Sequence, residues 1–130
     1  MPRLATQAFT TAITGVATEP VTGLGEFSSL SLIAALTVAG GGTTVIVRVQ
    51  TSIDEGSTWY DIARFDFTTS SAVKRANIDG RAQIAPAALA ALGAEGVIHG
   101  LLGDRLRAET TSNGTYTAGS KVDLFFAKRA

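Results

Sequence analysis

The sequence predicts an all-β protein, an antiparallel two-sheet sandwich of jelly-roll-like form with about eight strands and one short crossover helix near residues 86–92. Three observations predict it. Strand-length segments that alternate apolar and polar residues recur along the chain. Turn signals separate them, among them Gly40-Gly41-Gly42, Asp79-Gly80 and Asn113-Gly114. Threonine and glycine are abundant, whereas glutamate and lysine are scarce for a helical protein. A chain of 130 residues makes one domain, 1–130, within which residues 1–25 are a candidate N-terminal arm toward a neighbouring subunit.

Taken in order, Gln7 to Thr14 and Val16 to Thr22 read as opening strands separated at Gly15. Pro20 has no N–H to donate and suits an edge or a strand end. Leu30 to Val38 is nearly all apolar, as expected of a strand covered on both faces or buried at a subunit contact. In Thr44 to Thr51, Val45, Val47 and Val49 point one way while Ile46, Arg48 and Gln50 point the other. Trp59 to Phe67 places Trp59, Asp61, Ala63, Phe65 and Phe67 on one face and Tyr60, Ile62, Arg64 and Asp66 on the other. Ala72 to Ile78 is a further strand. Pro86 to Gly93 has proline near a helix start and glycine past its end, which predicts the helix within a long crossover. Strands resume at Asp104 to Thr111 and at Lys121 to Lys128, joined through the Asn113-Gly114-Thr115 turn.

Between two of these strands lies Ser52-Ile53-Asp54-Glu55-Gly56-Ser57-Thr58-Trp59, which matches the Asp-box pattern S-x-D-x-G-x-T-W. Its residues suit a tight hairpin. Asp54 bonds back to the turn backbone, Gly56 supplies a positive φ, and Thr58 and Trp59 lead into the return strand with the indole packed under the loop. The pattern occurs once, without the repeats of a propeller.

Eleven basic and eleven acidic residues cancel, so the chain carries no electrostatic footprint for nucleic acid or an anionic membrane. Cysteine is absent. The opening residues lack the apolar core of a signal peptide, and Leu30 to Ala39 is too short to span a bilayer. The expectation is a soluble protein made in a cytoplasm.

No residues nominate a catalytic site, a cofactor or a metal centre. His99 has no nucleophile or carboxylate assigned to it by the sequence and reads as a packing or loop residue. Asp54 and Glu55 lack the further oxygen ligands of a Ca²⁺ loop. Gly40 to Gly42 lacks the lysine and helix of a phosphate loop, and Asn113-Gly114-Thr115 reads as a turn rather than a glycosylation site. Trp59, Phe65 and Phe67 read as core rather than as a sugar platform, which leaves Tyr60 and Tyr116 as candidate exposed aromatics. With Arg48, Arg105 and Arg107 they are the candidate subunit contacts.

The strand Val45 to Thr51 running into the Asp-box, the return strand Tyr60 to Phe65 and the late Leu106-Arg107-Ala108 strand resemble small bacteriophage virion proteins of the jelly-roll or sandwich type. That resemblance implies a non-enzymatic capsid decoration, or cement, protein that bridges and stabilises capsomers. Its partners would be the major capsid protein and copies of itself, as a dimer or trimer, and its place the virion after synthesis in the host bacterial cytoplasm. A tail or connector component and a carbohydrate-binding sandwich are the alternatives.

Overall fold

Leucine and valine repeat at every second position in the two most apolar segments, and in a pleated strand that period puts them all on one side. A computed structural model, describing residues 2–129, shows the apolar sides of both strands buried in one core. The described residues form nine strands: β1 (Arg3–Ala8), β2 (Ile13–Ala17), β3 (Ser29–Thr37), β4 (Thr44–Ser52), β5 (Tyr60–Phe67), β6 (Ala72–Asp79), β7 (Gly96–Val97), β8 (Arg105–Asn113) and β9 (Lys121–Arg129). They make two antiparallel sheets, in the orders β1-β9-β3-β6 and β2-β8-β4-β5-β7. From the first sheet Leu30, Leu32, Ala34, Leu36, Val122, Leu124 and Phe126 point inward. From the second, Val45, Val47, Val49, Phe65, Phe67, Leu106 and Ala108 meet them.

The two-sheet architecture agrees with the sequence reading, and four differences have physical causes. Residues 86–92 are not helical, and among the described residues there is no helix at all. Seven residues are too few to offset helix nucleation without an apolar face to bury, and here they are nearly all exposed. The added strand, β7, is two residues at the end of that crossover, paired to β5 through Ala63 and Arg64. At the N-terminus the strands break elsewhere than at Gly15. Phe9 turns into the core and ends β1, while Gly15 lies inside β2 at a register shift, its N–H donated to the Thr111 hydroxyl. Pro20 interrupts the line after β2, which touches β8 again through the Val21–Leu106 bridge. The described part of the expected arm, 2–25, thus lies along this chain's own β9 and β8.

The fourth difference is in β5. Val49 pairs with Ala63, but Gln50 pairs with Asp61, so Ile62 is an extra residue on β5. The bulge reverses the alternation on its N-terminal side. Ile62 is fully buried beside Ala63, whereas Asp61 joins Gln50 and Arg48 on the outer face, and Trp59 lies on that face too. The single-face grouping of Trp59 and Asp61 with Phe65 and Phe67 is therefore corrected.

Tyr116 is also corrected as a surface contact. It is 2% exposed, stands edge-on to Phe9 with ring centroids 4.9 Å apart, and donates its hydroxyl to the Thr68 carbonyl at 3.1 Å. Its ring occupies the space above Gly42, where a Cβ would come within 2.0 Å of the phenol carbon. Glycine is required there by the packing as well as by a φ of 82°.

The bulge makes a direct prediction. Ile62→Ala should lower unfolding stability by about 2–5 kcal/mol in urea titration, the cost of emptying a closed core site. With Ile62 on the outer face, as unbroken alternation would have it, the change would stay within about 0.5 kcal/mol.

Candidate functional site

The turn between β4 and β5 is held by side chains at both ends. Asp54 Oδ1 accepts the Ser52 hydroxyl and the Thr58 N–H, each at 2.8 Å, and Ser52 Oγ accepts the Gly56 N–H at 2.9 Å. Glu55 and Gly56 both take positive φ, 62° and 90°. The Thr58 bonds, then that from Ser52, hold the Asp54 carboxyl below the usual range. Asp54, Gly56 and Thr58 all take part in the hydrogen bonds of this turn. Trp59 lies just beyond, half-buried, with the Arg107 guanidinium 4.5 Å from its ring centre.

From that stack a polar network runs across the outer face of the five-stranded sheet. Arg107 Nε donates to Gln50 Oε1 at 2.8 Å, and Gln50 Nε2 donates to Asp61 Oδ1 at 2.8 Å. Asp61 Oδ2 accepts the Leu92 N–H at 2.9 Å and lies 3.2 Å from Arg48 Nε, an ion pair whose N–H is not aligned as a hydrogen bond. Arg48 and Arg64 face each other across the β4–β5 ladder, a costly arrangement for like charges. Both donate to the Leu92 carbonyl, at 3.2 and 2.8 Å, and Arg64 also pairs with Asp66 at 2.8 Å. One residue of the crossover is therefore gripped at its N–H by a carboxylate and at its C=O by two guanidinium groups. The Asp61 side chain is only 3% exposed beneath it.

The crossover is fastened again at Glu95. Its Oε2 accepts Lys74 Nζ at 2.6 Å and the Asp66 N–H at 2.8 Å, joining β6 of one sheet to β5 of the other. The Lys74 bond, then the Asp66 N–H, holds the Glu95 carboxyl below its usual value. His99 Nδ1 accepts the Asp79 N–H at 3.0 Å and ties the return of the crossover to the end of β6. Asp123, on the outer face of the four-stranded sheet, is subject to burial that raises its pKa, but the Thr6 hydroxyl at 2.6 Å and the Lys121 charge leave it lowered.

Of the candidate contacts, Arg48 and Arg107 sit in this network rather than on a bare surface. Arg105 is partly exposed beside the Asp-box turn, its Nε 3.8 Å from Asp104 Oδ1. Tyr60 faces Thr51 and is half-buried. Gln50 reads in the sequence only as sharing a strand face with Arg48, and Asp61, Arg64 and Glu95 carry no site signal in their pattern. The one signal for them is the adjacent apolar pair Ile62-Ala63, which breaks the alternation and marks the bulge that turns Asp61 outward.

Among the described residues several surfaces remain open, among them a pocket of about 370 Å³ lined by Arg64, Lys74, Arg75, Glu95 and Val97, and the exposed Ile84 and Leu89 of the crossover. An end cleft of about 920 Å³ is lined by Phe27, Ile53 and Leu102, with Glu26, Glu55, Asp104 and Arg81 around it. The outer face of the four-stranded sheet carries half-buried Ile33, Ala35 and Phe125 and ends at edge strand β6, where Val73 is 71% exposed. Among the described residues no cluster of three or more His, Asp or Glu side chains is placed to hold a metal ion. Searches of family models, curated proteins and solved structures found no match to the chain.

Substitution and pH both test this geometry. Asp61→Ala should cost about 3–5 kcal/mol in chemical denaturation, because it strands a partly buried guanidinium and an amide. Asp66→Ala, at a more exposed pair, should cost no more than about 1 kcal/mol. Asp54, Glu95 and Asp123 all have lowered pKa values, so each contributes stability above its unfolded pKa that is lost as pH falls through the folded one. The urea midpoint should hold from neutrality to about pH 5 and fall below about pH 4. Asp54→Asn should reduce that fall.

Proposed function

We propose that the chain is a non-enzymatic structural protein of a bacteriophage virion, acting as a capsid decoration protein that bridges and stabilises capsomers. The observation that carries this reading is the strand order. With β7 set aside as an appendage, the sheets read β1-β9-β3-β6 and β2-β8-β4-β5. That order supports a jelly-roll reading of the sandwich, an architecture shared by viral shell domains and lectins. Fold alone does not choose among those roles, so the surface must.

The surface favours assembly over chemistry. Both oxygens of Asp61, the most buried carboxylate of the polar network, are taken by Gln50, Leu92 and Arg48. Trp59, the natural platform for a sugar ring, is occupied by Arg107. Open features of the described residues include an apolar-centred sheet face, an edge strand and an end cleft, which suit contact with other protein surfaces. A cement protein works through many copies, each burying modest area, so such surfaces suffice.

The test is the copy number per purified particle, by quantitative mass spectrometry against the major capsid protein. A simple stoichiometric ratio to that protein is expected. A few copies per particle would move the chain to the tail or connector, and absence from particles would overturn the virion reading.

A further inference from the structure

The open surfaces divide the charge of a neutral chain. On the outer face of the four-stranded sheet Arg3, Arg75 and Lys121 stand against one carboxylate, Asp123, which Arg3 and Lys121 flank at 4.0 and 3.4 Å. Around the end cleft Arg81 stands among Glu26, Glu55 and Asp104; Arg105 pairs with Asp104 at 3.8 Å, whereas among the described residues Glu26 and Glu55 form no ion pair. Between the two, Arg129 and Asp79 lie on either side of Ser29 and cancel. Nearby, Lys128 bonds the Leu24 carbonyl and does not line the cleft.

Each surface also has an apolar element of matching kind. Val73 is the most exposed large hydrophobic side chain of the described residues, at 71%, and Ile53 in the cleft follows at 62%. Val73 and Arg75 are two apart on edge strand β6, so both project from the same face, about 7 Å apart. Among the described residues Arg75 forms no ion pair. The cleft offers the complement: Phe27, Ile53 and Leu102 for an aliphatic side chain, and carboxylates around them for a cation.

We propose that β6 of one copy docks in the end cleft of a second copy, Val73 entering between Phe27, Ile53 and Leu102 while Arg75 meets the Glu26 and Glu55 carboxylates. The contact is heterologous, because the knob and the cleft are different patches of the same chain. Val73 lies near the start of β6 and Gly80-Arg81 of the cleft follow its end, so each copy offers both partners at opposite ends of one strand. Repetition gives a ring where the rotation closes and a filament where it does not. The inference rests on the reading that the chain works as multiple copies, and not on where they assemble.

Purified chain tests it by light scattering coupled to size exclusion and by sedimentation, in low and high salt. Self-association should rise with protein concentration and weaken as the screening length falls from about 10 Å at 0.1 M to about 3 Å at 1 M salt. A cleft variant carrying Glu26→Lys and Glu55→Lys, and a strand variant carrying Val73→Glu, should each associate at least about tenfold more weakly than the parent. Arg75→Glu is a second strand variant, should Val73→Glu unfold, and thermal melts check that each variant is folded.

Mixing is decisive for the geometry. The cleft variant keeps its strand and the strand variant keeps its cleft, so equal amounts should form one-to-one dimers that go no further. A parent that stays monomeric at every concentration overturns the proposal. So does a cleft variant that still self-associates like the parent, as a face-to-face pairing of four-stranded sheets would. Absence of the chain from phage particles would leave these results unaffected and would count only against the virion reading.

Discussion

One extra residue on β5 decides which side chains of that strand meet the core. Because side chains alternate along a strand, inserting Ile62 against the β4 ladder exchanges inside for outside from that point toward Trp59. Ile62 gains a closed site in the core. Asp61 is carried outward to Gln50 and Arg48, and Trp59 is carried to Arg107. The network on the outer face follows from this shift, and so does the course of the crossover that the network grips at Leu92. Without the bulge, Asp61 would point into an apolar core as an unpaired charge, which a small domain cannot sustain.

The same hairpin organises the rest of the chain. The β4–β5 turn at Asp54 is the tip of a nested set of antiparallel pairs: β3 with β6, β2 with β8 and β1 with β9 flank it in succession. Folding that long hairpin over brings β9 against β3 and β8 against β4, which completes the two sheets. Most contacts therefore join residues far apart in sequence, so the topology is of the slow-folding kind. A rigid tip has value in such a chain. The bonds of Ser52 and Asp54 hold the turn at that tip, and beyond it Val49, Val47 and Val45 of β4 pair with Ala63, Phe65 and Phe67.

The strands were legible where period and burial agree. β4, β8 and β9 lie within two residues of the segments their alternation marks, and β3 and β6 lie as close to the segments 30–38 and 72–78. The apolar run of β3 buries one face in the core and leaves the other half-buried rather than covering both. The Asp-box was legible because its function is local. The crossover was not: an alanine-rich segment between proline and glycine looks like a helix, but its conformation is set by the grip on Leu92, which involves residues tens of positions away. Tyr116 was misplaced for a related reason. A tyrosine beside a turn reads as exposed, yet Phe9 from the first turn of the chain and the bare backbone of Gly42 make a slot for it. The face of β5 near Trp59 was lost to one inserted residue.

For the proposed role, the division of labour between the sheets matters more than any single residue. The five-stranded sheet uses its outer face to hold its own crossover, and the four-stranded sheet leaves its outer face and its β6 edge open. A scaffold whose polar groups are committed internally, with apolar contacts left at one face and one end, suits a protein that acts by joining others. The outer-face network and the course of the crossover both depend on the Asp61 clamp, and residue-resolved amide hydrogen exchange at Leu92 is its test. Leu92 should exchange much more slowly than Ala90 and Ala91, which lie in the same exposed segment. Exchange at Leu92 as fast as at those neighbours would contradict the clamp, and with it the outward turn of Asp61 at the bulge.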